Sequence, residues 1–364
     1  MQHSTLQISR SNLLHNFSFF RSKLSISTKL LVLVKANGYG HGDTEISRLV
    51  EEFGADYLGV AFPIEGEKLR KAGIKLPIII LTPGIDNFDE IISHDLEPSI
   101  ISPESAISFA NAVKKAGKSS WPAHIKIDSG MSRVGFVREE IQWLTDFLSE
   151  NSQIEVKSVF SHLSSAEHEM HDQFTLDQIN LFSEAYDQIS SVTGTKPIKH
   201  ILNSSGIERF SQYQFDMVRL GIGIYGSTYV EGNDLLKPVA SLVSPIVHIK
   251  KIKGASVGYG RHGQVGSEER EIATLPIGYA DGVNRHLGRG NFSFMVNGKP
   301  APTIGNICMD MFMLDVTGCN AKTGDTVTIF GENPTALEIA QKLGTITYEV
   351  FTSVPARIIR KITE

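Results

Sequence analysis

A chain of 364 residues is longer than one compact core of ordinary size, so a large domain and a smaller one are expected. Its 35 basic and 40 acidic residues give a formal charge of −5, which offers no electrostatic attraction to nucleic acid or an anionic membrane and leaves a small molecule as the expected partner. Cys308 and Cys319 are too few for a disulfide framework and lack zinc-ligand spacing, no basic stretch leads into an apolar N-terminal core, and no run of roughly 18 apolar residues occurs, so a cytoplasmic protein without a metal is expected.

After a short strand at 6–9 and a helix, strand-like and helix-like segments alternate up to about residue 235. The expected strands are 30–34, 57–61, 77–81, 97–101, 123–127, 156–161, 200–203 and 216–220, with helical patterns such as 44–53, 103–116, 139–150 and 173–192 between them. Eight βα repeats are the sequence form of a (β/α)8 barrel of the TIM type, with a doubly wound open sheet as the other arrangement. Past Tyr225-Gly226 the texture changes to short alternating runs at 247–251, 271–275, 292–295, 312–316 and 326–330, punctuated by glycines, with one helix at 336–343. This predicts a mainly antiparallel β domain at 236–364 after a barrel at 1–235, and the strand at 6–9 is free to join it.

Residues 30–34 read as a strand buried on both faces, which puts Lys35 at its carboxyl end, where barrels keep their ligands. Gly38, Gly40 and Gly42 follow, residues that permit positive φ or close approach of the backbone to a ligand. A lysine amine desolvated there loses its proton near neutral pH and can form a Schiff base with a carbonyl. The other strand ends carry chemistry too: Leu81, the run from Lys126 through Asp128 to Arg133, His162, Asn203-Ser204-Ser205-Gly206, and Arg219-Leu220-Gly221-Ile222. Each alone reads more readily as a cap, a salt bridge or a buried histidine; their coincidence at one face favours a site. The loops after strands seven and eight, with Ser204, Gly221 and Ile222, are where such barrels bind phosphate.

The run Val34-Lys-Ala-Asn-Gly-Tyr-Gly-His-Gly42 resembles the cofactor-lysine signature of the alanine racemases, a pyridoxal phosphate family built from a barrel and a second β domain. The resemblance implies that Lys35 carries pyridoxal 5'-phosphate, that Tyr39, Ser204, Gly221 and Ile222 hold its phosphate, and that Leu81, His162 and Asn203 line its site. It places Arg219 against the pyridine nitrogen; an arginine donates and cannot accept, so the nitrogen stays unprotonated and the carbanion less delocalised, which points to racemisation. Ser256-Val-Gly-Tyr-Gly260 and Leu275-Pro-Ile-Gly-Tyr279-Ala-Asp281-Gly282 also resemble the family, making Tyr259 the catalytic base opposite Lys35 and Tyr279 a residue of the substrate's way in. A phenol with a reference pKa of about 10 needs help to act as a base, and the resemblance suggests His162 and Arg219 give it. Arg133 and the backbone of Met309 match the substrate contacts, supported by Asp310 and by Lys126, the latter read either as carbamylated or as an ordinary ion pair. Two departures are Ala356, where some members have a tyrosine near the phosphate, and Arg357-Ile-Ile-Arg360 in place of Arg-Val-Pro-Arg.

The implied activity is interconversion of L-alanine and D-alanine by two bases, supplying D-alanine for peptidoglycan, in a homodimer whose β domains each cover the other chain's barrel. Two other readings share a cofactor lysine. An amino acid decarboxylase of the same fold type would present an acid where Arg219 stands, and a pyridoxal phosphate-binding barrel protein would lack the β domain with Tyr259.

Overall fold

The computed structural model describes residues 3–194, 196–231 and 235–364. The first strand, β1 (Thr5–Ser9), precedes eight strands of one sheet: β2 (Lys29–Leu33), β3 (Tyr57–Val60), β4 (Ile78–Ile80), β5 (Glu97–Ile100), β6 (Trp121–Lys126), β7 (Ile154–Phe160), β8 (Ile198–His200) and β9 (Met217–Leu220). All pair in parallel, in the order β8-β7-β6-β5-β4-β3-β2-β9. The two outer strands meet: Asp216 N donates to Lys199 O at 3.1 Å and Arg219 N to Leu202 O at 3.0 Å, which brings the sheet round into a nearly closed barrel and excludes the open sheet.

The reason is visible in the strands. Ile78, Ile79 and Ile80 have no exposed surface, nor do Leu30, Leu31 and Val32, because a strand with helices outside and packed side chains inside must be apolar on both faces. The helices Asp43–Glu52, Pro103–Lys115 and Asp172–Val192 form the outer ring between strands. Strand seven differs from its expected span of 200–203. After His200 the carbonyls of Ile201 and Leu202 turn to the side chain and backbone N–H of Arg219, and Asn203 caps the helix Ser204–Arg209 by accepting from Gly206 N at 2.9 Å. Tertiary partners thus replace the ladder where the site begins.

From β10 (Ala240–Pro245) onward the structure is mainly β. Here β1 lies between β10, antiparallel, and Ile359–Thr363, parallel, with Thr326–Phe330 completing the four-stranded sheet. A second sheet joins β11 (His248–Ile252) to Arg270–Leu275 and Phe312–Asp315. The helix Ala336–Leu343 starts at a capping box, Thr335 Oγ1 accepting from Glu338 N at 3.1 Å while Glu338 accepts from Thr335 N at 2.6 Å, and stops at Gly344 with φ 67°. The helix after it, Thr347–Thr352, packs on the loop that follows Lys35. Among the described residues no helix is long and apolar enough to cross a membrane.

That contact leaves no room at Gly40, where φ is +81° and an added Cβ would stand 1.9 Å from Phe351 O. Gly54 shares the conformation, φ +91°, but opens onto space. Gly54→Ala should therefore cost only backbone strain, about 1–2 kcal/mol, and Gly40→Ala a further 1–3 kcal/mol, roughly, for displaced packing. Urea unfolding of both variants measures the difference; equal losses would mean that the two units do not press on this loop.

Candidate active site

The polypeptide leaves β2 into an unusual turn. Ala36, Asn37, Gly38 and Tyr39 take φ of 52°, 55°, 61° and 50°, a left-handed run that ordinary residues adopt only when their surroundings impose it. The turn is tied by Gly38 N to Val34 O at 2.8 Å, Gly40 N to Ala36 O at 3.0 Å and Gly42 N to Asn37 O at 2.8 Å. Glu65 anchors it from β3's far end, accepting from Ala36 N with one carboxylate oxygen and from Ala61 N and Phe62 N with the other. Lys35 thereby points into the barrel mouth. Burial lowers its amine pKa, the Arg133 guanidinium lowers it further, and Glu65 opposes both.

The mouth holds a cavity of about 490 Å³, within the range for small ligands, roughly 300–1,000 Å³. Lys35, Tyr39, Leu81, Lys126, Arg133, His162, Asn203, Ser204, Arg219, Gly221 and Ile222 all line it. At one end Ser204 Oγ accepts from Gly221 N at 3.0 Å and Gly223 N at 3.2 Å. A Cβ on Gly221 would sit 3.2 Å from the Tyr39 hydroxyl and 3.8 Å from Ser204 Oγ, so the missing side chain leaves a cradle of hydroxyls and backbone N–H groups. Burial and then Tyr348 push the Tyr39 phenol pKa up, which keeps it a donor.

Tyr348 lines the same end, its ring 5.8 Å from that of Tyr39. No local pattern marks this residue, and only the packing of Thr347–Thr352 on the lysine loop brings it to the cavity. Ala356, by contrast, is exposed in a turn and does not line the cavity.

At the opposite end Arg219, only 2% exposed, donates to His200 Nδ1 at 2.8 Å, His162 Nδ1 at 3.1 Å and the carbonyls of Ser161 and Ile201. Burial brings its pKa down to about 9, which still leaves it charged at neutral pH. Both histidines are held well below the ordinary imidazole value, by burial first and by Arg219 next. They are neutral and accept through Nδ1, because arginine has only donors.

Lys126 corrects one reading. It is 5% exposed, its amine donates to Ile127 O at 3.2 Å and lies 5.3 Å over the Phe160 ring, and among the described residues it makes no ion pair. Its pKa falls to about 7, through burial and then Arg219, with Asp128 opposing and Arg133 adding. Asp128 instead accepts from Gly130 N and Ser132 N, shaping the loop that delivers Arg133.

The residues expected from the second unit stand apart. Tyr259 is 76% exposed, Met309 54% and Tyr279 44%, and none lines the cavity of its own chain; nor does Tyr259 contact His162 or Arg219. They share a different support: Asn306 Nδ2 donates to Tyr259 O at 2.9 Å, Tyr279 N to Cys308 O at 2.9 Å, and Arg357 bridges Asp281 and Asp310 at 2.6 and 2.8 Å.

Fold and cavity define a class: a (β/α)8 barrel followed by a mainly β domain, presenting a desolvated lysine amine between an anion cradle and a buried arginine. The family models described as alanine racemase, N-terminal domain, and alanine racemase, C-terminal domain, match residues 8–229 and 239–362. The chain belongs to the alanine racemase family. It is 37% identical over 367 residues to alanine racemase 1 of Clostridium acetobutylicum, spanning 97% of this chain and 94% of that protein. The alanine racemase of Methanococcus maripaludis is 36% identical over 368 residues, 97% of each. Among solved structures, the alanine racemase of Clostridium difficile 630 superposes with a TM-score of 0.92 at 32% identity, covering 100% of this chain and 96% of that one. That of Bacillus anthracis with bound L-Ala-P gives 0.90 at 29%, with the same coverage.

The Lys126 amine generates a pH prediction. Unfolded, it holds its proton up to about pH 10.4; folded, it releases it near 7. Between these values the unfolded state binds more protons, so this group's contribution to stability rises with pH. Lys126→Met should raise the urea midpoint most at pH 7 and progressively less toward pH 10. A difference independent of pH would place the amine in solvent.

Proposed function

We propose that the protein is a pyridoxal 5'-phosphate-dependent alanine racemase of the cytoplasm that supplies D-alanine for peptidoglycan, where two unpaired cysteines suit a reducing compartment. The observation that carries this reading is the convergence, in one cavity, of the Lys35 amine, the cradle of Tyr39, Ser204 and Gly221, and the Arg219 guanidinium. These residues fit the cofactor's three polar features. The cradle and Ile222, with Tyr348 beside Tyr39, would hold the phosphate, Lys35 would take the carbonyl carbon and Arg219 the ring nitrogen, with Leu81, Asn203 and His162 lining the same cavity. When bound, the cofactor supplies an electron sink conjugated to the substrate's α-carbon.

The chain's own residues do the rest. Arg133 binds the substrate carboxylate and fixes which face of the α-carbon meets Lys35, while Lys126, its pKa brought down to about 7 by burial and Arg219, keeps only part of its charge near neutral pH and competes weakly for that carboxylate. Lys35 Nζ, its pKa lowered by burial, takes or returns a proton on one face. Arg219 has only donors, so toward the cofactor ring it would give a hydrogen bond and take none, a setting that favours return of the proton over decarboxylation. The second face needs another base, and Tyr259 of a second copy provides it.

Exposed apolar groups support that dimer. Phe62, Ile64 and Ile85 follow barrel strands at the mouth, 54%, 69% and 58% exposed, and the second unit exposes Tyr259, Met309 and Met311. A two-fold pair brings each set to the other, with residues 236–364 of one copy covering the barrel, 1–235, of its mate, Tyr279 at the way in and Met309, held by Asp310 and Arg357, against the substrate.

Purified protein loaded with cofactor should convert L-alanine to D-alanine, and borohydride treatment should leave the cofactor's mass on the peptide containing Lys35; a label elsewhere, or carbon dioxide release in place of D-alanine, overturns the assignment. Sharing of sites has its own test. Lys35→Ala and Tyr259→Phe are each expected to be inactive, yet refolded together they should recover about a quarter of wild-type activity, since half the dimers are mixed and one of their two sites is intact. Confirmed mixed dimers without activity would put both bases in one chain.

A further inference from the structure

Behind Arg219 runs a set of buried polar groups that racemisation as described above does not use. They come one each from four successive barrel strands, Glu97 on β5, His124 on β6, Ser158 on β7 and His200 on β8, and end on Arg219 of β9. His124, Ser158 and His200 have no exposed surface. An irregularity in the pairing of β6 with β7 passes over Lys157 and sets His124 opposite Ser158.

With both imidazoles neutral, the hydrogens in this set have one consistent arrangement. Arg219 Nη1 can only donate, so His200 Nδ1, 2.8 Å away, carries no hydrogen. His200 then holds its hydrogen on Nε2 and donates it to Ser158 Oγ at 2.8 Å. Ser158 has one hydrogen of its own, and His124 Nδ1 at 2.6 Å accepts it. His124 is left with its hydrogen on Nε2, donated to Glu97 Oε2 at 2.8 Å. Every donor in the series points from the arginine toward the carboxylate, and each bond polarises the next.

We propose that Glu97, His124, Ser158 and His200 form a one-way hydrogen-bond chain through the barrel that fixes Arg219 in its donor orientation, with Glu97 as the remote positioning residue that sets its direction. This rests on the reading that Arg219 meets the cofactor ring. No carboxylate contacts Arg219 among the described ion pairs, so the buried guanidinium depends on neutral acceptors. Remove the acceptor at Glu97 and the series can reverse. His200 would then present a hydrogen on Nδ1 to an arginine N–H, and the guanidinium would have to turn away from the site.

Histidine labelled with nitrogen-15 in the cofactor-loaded enzyme reports the tautomer directly. In wild type, His124 and His200 should both carry the hydrogen on Nε2; a hydrogen on Nδ1 of either overturns the chain whether or not any variant folds. Glu97→Ala should move one or both to Nδ1 and lower kcat at least about tenfold, the lower scale on which outer hydrogen-bond partners tune a functional group, while KM for alanine stays within about twofold because Arg133 is untouched. Glu97→Gln, whose amide oxygen still accepts, should restore the tautomers and most of the lost kcat. Unchanged tautomers in Glu97→Ala, or equal kcat losses in the two variants, would sink the idea. Should Glu97→Ala not fold, Ser158→Ala cuts the series in the middle and must show the same shift at His200. Wild-type protein that fails to racemise alanine would overturn the proposed function instead, and leaves the wild-type spectrum to judge the chain.

Discussion

The left-handed turn after Lys35 is the constraint on which the rest hangs. Three ordinary residues and a glycine adopt a conformation that costs about 1–2 kcal/mol each for an L side chain, and nothing in the local sequence compensates for it. The compensation is tertiary. Glu65 holds the turn from the barrel side, and Arg360 Nη2 donates to Gly40 O at 2.8 Å from the second unit, with Phe351 stacked edgewise on His41. The lysine loop is therefore the joint between barrel and β domain, and the pose of the amine depends on both.

The cavity's electrostatics follow from the same crowding. Lys35, Lys126, Arg133 and Arg219 share one lined space, with Glu65 and Asp128 as the carboxylates that favour their charged forms. Burial depresses the pKa of both lysines and of Arg219, and the two lysines repel the guanidinium groups beside them. Such a site is built to receive negative charge. A phosphate at the Tyr39 end and a carboxylate near Arg133 would each relieve part of that repulsion, so ligand binding and the protonation of the lysines are coupled.

Much of this was legible in the sequence, for physical reasons. Strands such as 77–81 are apolar on both faces because the barrel buries both, and Gly38, Gly40 and Gly42 stand where the backbone takes φ of +61°, +81° and +99°. Lys35, Leu81, Lys126, His162, Asn203, Ser204, Arg219, Gly221 and Ile222, which line the cavity, were readable at or just after the ends of expected strands, and Tyr39 and Arg133 through the family resemblance. What escaped reading depended on contacts distant in sequence. Strand seven ends at His200 because Arg219 claims the next carbonyls, and Tyr348 joins the site through a helix whose docking no local pattern records. Lys126 read equally as an ion pair, and only its burial with the amine bonded to Ile127 O and paired to no carboxylate among the described residues decides against that. Tyr259 stands outside the cavity that holds Lys35 within one chain, so the pairing proposed for the two is one that neither local pattern nor packing of a single chain records.

The position of β1 has a consequence for how the molecule is made. It pairs with β10 and with Ile359–Thr363, so Ile8 meets Ala240 on one side and Ile362 on the other. During synthesis this strand emerges ahead of the whole barrel yet has no partner until long after, leaving both of its edges open meanwhile. The barrel must assemble with an unpaired strand tethered at its start, and the four-stranded sheet closes last. Nascent chains stalled within the second unit would thus display a ready template for strand addition, a stage at which binding by a chaperone, or mispairing with a neighbouring ribosome's product, competes with folding.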